Sequence, residues 1–273
     1  MKNIYLNYEF NDISSVIIND DFFKNRFILH KIIKENNNKV SMIIYYTKMD
    51  KICFLKVKNA NNFSTEVYEI LKNNDHPNIE KVFDVIKNNN FIYILTEYIP
   101  GVNLDEYRQN NKNKIDKKFV KKTINQTFEA LNFIHKLNII HCDIKLDNII
   151  ITNDENIKII DFDLAAKCNT YICSKCRFGS ENYIAPESYD IHIYSKRSDI
   201  WSFGILLYKL LLDKFPYKSK LSKSCHFYVR NNPKLLNLDE LDTLNESYGH
   251  DIVLFIKKML NFIDEYRPLE ANI

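Results

Sequence analysis

The sequence predicts an α+β protein with a small β-rich lobe followed by a larger, mainly helical lobe. From Phe27 to Tyr98, runs rich in Ile, Val, Tyr and Phe alternate with short polar turns, as in an antiparallel sheet. Pro100-Gly101 then breaks this pattern. Beyond the break, apolar residues recur at helical spacing, above all over Lys117–Leu137. The expected boundaries are residues 1–98 for the first lobe, 99–101 for a hinge and 102–273 for the second lobe.

The first lobe is expected to contain three strands, a helix and a hairpin. β-Branched and aromatic residues fill each predicted strand, and polar segments such as Lys34–Lys39 separate them. The helix is predicted over residues 63–73, where apolar residues fall at helical spacing and Ser64 is a candidate cap. The strands are expected at residues 27–33, 40–47, 52–58, 79–86 and 91–98. Residues 1–20 show no pattern that assigns them a structure.

The second lobe is expected to contain helices over Lys117–Leu137, Ser198–Leu212 and Asp251–Leu260. The first of these carries a stripe of apolar residues, and the second is apolar enough to lie inside the core. Between them, the β-rich runs Ile149–Thr152 and Asn156–Ile160 flank a turn-forming Asn-Asp-Glu segment. We therefore expect one hairpin within an otherwise helical lobe.

The stretch His141–Asp163 has the clearest chemical pattern. Asp143, Lys145 and Asn148 precede the hairpin, and Asp161 follows it directly. Because a hairpin brings the loops at its two ends to one edge, the carboxylates and the amide are expected to converge. Carboxylate and amide oxygens are the hard ligands that Mg²⁺ takes, together with phosphates of a substrate. The sequence therefore predicts a site for a divalent cation that carries a phosphate.

Composition limits the function further. With 273 residues, of which 45% are hydrophobic, the chain is long enough to bury a substantial core. The net charge of +3 gives no strong attraction to nucleic acid or to an anionic membrane. We see no signal peptide and no apolar run near the roughly 18 residues of a membrane span. Six scattered cysteines fit a reducing compartment. We expect a cytoplasmic monomer with no nucleic-acid or membrane partner.

A series of short motifs follows one another along the chain. The motifs are Phe54-Leu55-Lys56, Glu66, His76–Ile79, His141–Asn148, Asp161-Phe162-Asp163, Ala185-Pro186-Glu187, Asp199–Gly204 and Arg267-Pro268. In this order and at this spacing they resemble the eukaryotic-type protein kinase domain, serine/threonine class, over roughly residues 27–270. The resemblance implies a bilobal protein kinase-like fold that transfers the γ-phosphate of ATP to protein Ser/Thr hydroxyls, with Mg²⁺. The chain stops soon after Arg267, so the last helix usual in the family is expected to be truncated.

The resemblance implies a role for each matched residue. Asp143 would be the catalytic base, and Lys145, typical of the serine/threonine class, would neutralise charge on the transferred phosphoryl group. Asn148 and Asp161 would bind magnesium. Ser180 matches a hydroxyl that positions the base. Glu187 and Arg267 would form a structural, bidentate ion pair.

The resemblance also implies the nucleotide site. Lys56 would bind the α/β-phosphates and pair with Glu66, with Glu69 one turn later as the alternative partner. The backbone of Glu97–Ile99 would hold the adenine, and Thr96 would stand behind it. The full set of expected nucleotide contacts is Lys34, Asn36, Val40, Lys56, Glu66, Glu97, Ile99 and Asn103.

Three departures from the family pattern bear on activity. Lys34–Lys39 contains no glycine, so phosphate binding is expected to be weaker; its lysines either supply charge or are exposed loop residues. Asp163 replaces the glycine of the D-F-G motif, and either strengthens metal dependence or stiffens this segment. Cys142 replaces an arginine that usually grips a phosphate on the activation segment. We therefore expect activity that does not need phosphorylation of Thr170 or Ser174.

Other functions compete with an active protein kinase. The missing glycines favour a pseudokinase, a binding or scaffold module with the same fold. A kinase acting on a small molecule is disfavoured, because the segment Gly179–Glu187 resembles a peptide-docking segment. Cys173 and Cys176 form a CxxC pair, which is by itself a weak signal for a zinc or redox site.

Overall fold

The structure, a computed structural model, describes residues 13–36, 38–61, 63–111, 115–173, 178–217 and 236–271. They divide into two units. The first unit contains the chain up to Asp75 together with Lys81–Tyr98. The second contains His76–Glu80 and the chain from Ile99 onward.

The first unit is built on a five-stranded antiparallel sheet with strand order β1-β2-β3-β5-β4. Side chains on alternate positions of the second strand, from Val40 to Tyr46, point into the core, as the two-residue period of a strand requires. The strands are β1 (Phe27–Asn36), β2 (Lys39–Tyr46), β3 (Lys51–Asn59), β4 (Val82–Asn88) and β5 (Phe91–Glu97).

Two short helices precede this sheet where the sequence allowed no assignment. Helix α1 spans Ile13–Asn19 and helix α2 spans Asp21–Lys24, each too short for its apolar residues to show a clear period. Ile17 and Phe23 are buried in the same core as the sheet residues. Ser14 donates from its amide and its hydroxyl to the carboxylate of Glu35 on β1, at 2.7 and 2.9 Å. The first unit therefore includes residues that lacked a predicted role.

Replacing Ile17 by alanine is expected to cost roughly 2 kcal/mol or more of unfolding free energy, because the side chain is fully buried. Val16 lies next to it on α1 and is 62% exposed. Val16→Ala should therefore change stability by no more than about 0.5 kcal/mol. Urea unfolding of both variants measures the difference. Equal stability of the two variants would mean that α1 does not belong to the core.

Helix α3 (Glu66–Lys72) is shorter than the predicted 63–73. The hydroxyl of Ser64 accepts a hydrogen bond from the amide of Glu66 at 3.3 Å, so the chain ahead of the helix is held by a side chain instead of by helical bonds. Val67 and Leu71 are buried, and Lys72 pairs with Asp84 of β4 at 2.6 Å. Packing therefore holds this seven-residue helix in place.

The second unit is mainly helical. The predicted helices over Lys117–Leu137, Ser198–Leu212 and Asp251–Leu260 are confirmed to within a few residues. The elements are β6 (Gly101–Asn103), α4 (Leu104–Asn110), α5 (Lys117–Lys136), β7 (Ile139–Ile140), β8 (Ile149–Thr152), β9 (Ile157–Ile159), β10 (Ala166–Lys167), β11 (Tyr171–Cys173), α6 (Pro186–Ile191), β12 (Ile193–Ser195), α7 (Lys196–Leu212), α8 (Asn245–Tyr248) and α9 (His250–Met259). In the part of the chain that the structure describes, no helix combines the length and the apolarity needed to cross a membrane.

The predicted hairpin is confirmed as β8 and β9, which form a three-stranded sheet with β6. Glu155 closes its turn with a positive φ of 57°. The segment His76–Glu80 runs beside β9, with a parallel bridge between Ile79 and Ile159. This pairing explains why β4 begins at Val82 and not at Ile79, where we predicted its start.

Glu187 and Arg267 form the predicted bidentate ion pair. The guanidinium of Arg267 donates to the two carboxylate oxygens of Glu187 at 2.7 and 2.9 Å. It also donates to the carbonyl oxygens of Asn261 and Arg197, at 2.8 and 3.0 Å. The Arg267 side chain has no solvent exposure. A buried charge with this many acceptors is a structural anchor for α6 and the end of the chain.

Candidate active site

The buried carboxylate of Asp199, in the first turn of α7, fixes the backbone that precedes Asp143. Its two oxygens accept hydrogen bonds from the amides of His141 and Cys142, each at 2.9 Å. A ring nitrogen of His135 lies 2.9 Å from the same carboxylate. Cys142 has a left-handed backbone with φ of 64°, which these bonds help to hold. The sequence singled out Asp199 as part of a motif but predicted neither this role nor that of His135.

Three donors surround the carboxylate of Asp143. The amide of Ser180 donates to Oδ1 at 2.9 Å. The side-chain amide of Asn148 donates to Oδ2 at 3.0 Å, and the ammonium of Lys145 lies 2.9 Å from the same oxygen. Asp143 itself is buried. These contacts fix the direction in which the carboxylate points.

Lys145 and Ser180 are also joined directly. The ammonium of Lys145 donates to the hydroxyl of Ser180 at 2.8 Å. The lysine side chain is 24% exposed and therefore remains accessible to a substrate while it holds this position. The two predicted catalytic residues, Asp143 and Lys145, thus lie together with the hydroxyl that we expected beside the base.

Asn148 and Asp161, the two predicted metal ligands, are linked through the backbone. The amide of Ile160 donates to the carbonyl of Asn148 at 3.0 Å, which places the residue before Asp161 against Asn148. Asp161 has a left-handed backbone with φ of 67°, and its amide donates to the buried carboxylate of Glu80 at 2.6 Å. The structure thus brings Asp143 and Asn148 into direct contact and links Asn148 to Ile160 through the backbone. Convergence of the Asp161 carboxylate with these two side chains stays a prediction.

These donors suit a magnesium ion. The Nδ2 atom of Asn148 donates to both the carbonyl and the carboxylate of Asp143, so this side chain can offer a cation only its Oδ1 atom. With the carboxylate of Asp161, the donor set is one amide oxygen and one carboxylate. Magnesium is bound in proteins by such a small set of hard oxygens, with waters and substrate phosphates completing the shell.

Glu80 is a residue that the sequence analysis missed. Its side chain is buried, its carboxylate accepts the Asp161 amide, and its own amide donates to Ile159 at 2.9 Å. Glu80 thereby holds Asp161, which has a left-handed backbone, at the predicted metal site. A glutamate between Ile79 and Lys81 gives no sequence signal for this role, because its partner lies about eighty residues further along the chain.

Lys56 is buried in the first unit, on β3 between β2 and β5. Its ammonium lies 5.9 Å from the centre of the Tyr68 ring. Glu66 is the first residue of α3, and both it and Glu69 are exposed. The choice between these two glutamates as the partner of Lys56 stays a prediction.

The prediction of a loop from Lys34 to Lys39 is wrong. Lys34 and Asn36 belong to β1 and pair with Ser41 and Lys39 of β2, so the turn is much shorter than expected. The Oδ1 atom of Asn36 accepts the amide of Asn38 at 3.0 Å, a local bond that lets asparagine form a tight turn without glycine. Polar composition suggested a loop, but exposed strand residues can be equally polar.

The remaining residues that we predicted to contact the nucleotide make contacts within the protein. The side chain of Val40 is fully buried in the core of the first unit. The carboxylate of Glu97 accepts the amide of Lys81 at 2.8 Å. In the second unit, Asn103 caps α4 by accepting the amide of Glu106 at 2.8 Å, and Ile99 is partly buried. Their nucleotide roles stay predictions.

Cys142 places a neutral thiol where the family resemblance implies a charged arginine. Its thiol donates to the carbonyl of Ile140 at 3.6 Å. Burial, followed by the nearby charge of Asp199, raises the pKa of this thiol well above its usual value. Ser174 and Cys176 lie outside the described residues, as does the side chain of Cys173. Within the described ranges, no group of three His, Cys, Asp or Glu side chains suits a metal ion.

Comparison with known proteins identifies the family. The family model described as protein kinase domain matches residues 29–271. The chain is 31% identical to the serine/threonine-protein kinase cds1 of Schizosaccharomyces pombe over 71% of the chain, and to a probable serine/threonine-protein kinase of Clostridium acetobutylicum over 91%. It is 30% identical to probable serine/threonine-protein kinase 2 of Plasmodium falciparum over 75%. The chain spans 43%, 34% and 42% of the lengths of these three relatives.

The chain therefore belongs to the protein kinase family, in its eukaryotic-type serine/threonine class. The predicted α+β fold class is confirmed, with the five-stranded sheet in the first unit and most helices in the second.

Proposed function

We propose that the chain is a serine/threonine protein kinase that transfers the γ-phosphate of ATP to a hydroxyl group of a protein substrate. The observation that carries the proposal is the cluster around Asp143, in which Ser180, Asn148 and Lys145 fix one buried carboxylate. A carboxylate held in this way is suited to accept a proton from an attacking hydroxyl.

Each residue then has one task. Asp143 accepts the proton of the substrate hydroxyl while the hydroxyl oxygen forms a bond to the γ-phosphorus and the bond from that phosphorus to ADP breaks. Lys145, half-buried and bonded to Ser180, places a positive charge where the transferred phosphoryl group carries negative charge. Asn148 and Asp161 would hold magnesium, which when bound neutralises phosphate charge. Lys56 would bind the α/β-phosphates and pair with Glu66.

A pseudokinase is the second candidate, and one observation favours it. The β1–β2 turn that would cover the phosphates contains no glycine, and Asn36 and Asn38 form it with a side-chain bond. Such a turn presents fewer backbone amides to a phosphate than a glycine-rich one. We favour the enzyme, because loss of a catalytic group would lower the rate of phosphoryl transfer far more than a looser phosphate turn does. We further propose a cytoplasmic monomer that acts on proteins and binds neither nucleic acid nor membranes.

Transfer of labelled phosphate separates the two candidates. The purified chain is incubated with labelled ATP, Mg²⁺ and a generic basic protein, beside the Lys56→Met variant. An active kinase labels the substrate on serine or threonine, and the variant labels it far more weakly. If the wild type and the Lys56→Met variant label the substrate to the same extent while the wild type still binds ATP, the chain is a pseudokinase.

Thr170→Ala is expected to retain activity within about twofold of the wild type. Cys142 offers a thiol, and not a cation, at the position where the family has a phosphate-binding arginine, so a phosphate on Thr170 has no such anchor. Initial rates before and after phosphatase treatment measure this independence. Loss of activity in the variant, or after phosphatase treatment, would show that a phosphate is required.

A further inference from the structure

We propose that Tyr194 is a positioning residue for the catalytic base, acting through Phe178 and Ser180. The inference rests on the proposed function, because Asp143 needs an oriented carboxylate only if it takes part in phosphoryl transfer. Tyr194 lies on β12, after the Ala-Pro-Glu motif, and matches none of the sequence-predicted site residues.

One hydroxyl group binds both backbone polar atoms of Phe178. The Tyr194 hydroxyl accepts the Phe178 amide at 2.9 Å and donates to the Phe178 carbonyl at 2.9 Å. The two rings also stack, with centroids 3.9 Å apart and planes 12° from parallel. Phe178 is therefore held through its backbone and its side chain by the same residue.

Only one residue separates Phe178 from the amide that contacts the base. Gly179 has a φ of 100°, and a Cβ atom there would lie 2.7 Å from the carbonyl oxygen of Cys142. The chain thus passes directly against the backbone before Asp143. Ser180 follows and donates its amide to Asp143 at 2.9 Å. A shift of Phe178 would be passed on to this bond, since the close contact at Gly179 leaves little room for adjustment.

Tyr194 is itself firmly held. Its side chain is buried, and its backbone pairs with Ile172 of β11. On either side, Ser188 donates to the carbonyl of Ile193 at 2.6 Å, and Ser195 caps α7 by accepting the amide of Arg197 at 3.2 Å. The hydroxyl therefore extends from a rigid support to the segment that carries Ser180.

The test compares Tyr194→Phe with Tyr208→Phe. Tyr208 is a matched control, because its hydroxyl also makes two bonds, to Asn237 and Glu240, on a helix of the same unit. Tyr194→Phe keeps the ring and should lower kcat about tenfold, with KM for ATP changed less than twofold. Amide exchange of the Phe178–Ser180 segment should become faster. Tyr208→Phe should lower the melting temperature and leave both kcat and that exchange unchanged.

Three results would overturn the inference. The first is a kcat for Tyr194→Phe within twofold of the wild type. The second is an equal fall of kcat in Tyr208→Phe, which would mark a general loss of stability. The third is unchanged amide exchange in Phe178–Ser180. If the wild type shows no more transfer than Lys56→Met, the proposed function fails, and the exchange measurement alone decides whether Tyr194 holds this segment.

Discussion

Replacing Asp143 by asparagine is expected to lower kcat by at least about 100-fold, the usual contribution of a general base. The amide cannot accept the substrate proton, and its NH₂ group must face either the Ser180 amide or the side chains of Asn148 and Lys145, all of which are donors. The measurement is the rate of transfer from labelled ATP to a basic protein at saturating substrate.

Asp147 provides the matched control, since it lies in the same loop but is exposed. Asp147→Asn makes the same chemical change and should keep kcat within about twofold. Similar rates for Asp143→Asn and the wild type would remove Asp143 from the chemistry. An equal loss in both variants would point to disruption of the loop as a whole.

Replacing Arg267 by alanine is expected to destabilise the second unit by roughly 3–5 kcal/mol, because Glu187 keeps a largely buried charge without its partner. The carbonyl oxygens of Asn261 and Arg197 lose donors in the same change. Urea unfolding, followed by a probe that reports on this unit, measures the effect. Arg267→Met with Glu187→Gln should cost less than Arg267→Ala alone, since no unpaired charge remains.

The ion pair between Lys257 and Asp242 in the same unit is the control for this substitution. The Lys257 side chain is 26% exposed and the Asp242 side chain is 50% exposed. Lys257→Ala should cost no more than about 1 kcal/mol, the usual limit for a surface pair. A similar loss in the two single variants would mean that burial of the Glu187–Arg267 pair contributes little.

The sequence predicted an element correctly where a single segment contained the whole apolar or β-rich pattern of that element. Helix α5 has an apolar stripe along twenty residues, and the β8–β9 hairpin has β-rich runs on both sides of a turn. Both were predicted nearly to the residue. Helices α1 and α2 were missed because seven and four residues are too few to show a period. The turn at Asn36 was misplaced because polar strand residues look like a loop.

The site divides in the same way. Asp143, Lys145 and Asn148 lie within six residues of one another, and a motif of that length can be read from the chain. Asp199 and Glu80 contact the same region from 57 and 81 residues away along the chain. Their importance follows from burial and from the amides that they accept, and neither property is visible before the chain folds. Tyr194 belongs to this second group.

Helices α1 and α2 lie outside the residues matched by the family model but contribute to the core of the first unit. The family match begins at residue 29, yet Ile17 and Phe23 are buried with Phe27 and Tyr93 in one core, and Ser14 binds Glu35 within the matched region. A chain trimmed to residues 29–271 would leave an apolar face of the sheet open to water and to other molecules. Such a trimmed chain is expected to aggregate during expression, and its failure would then say nothing about whether the 273-residue chain binds ATP.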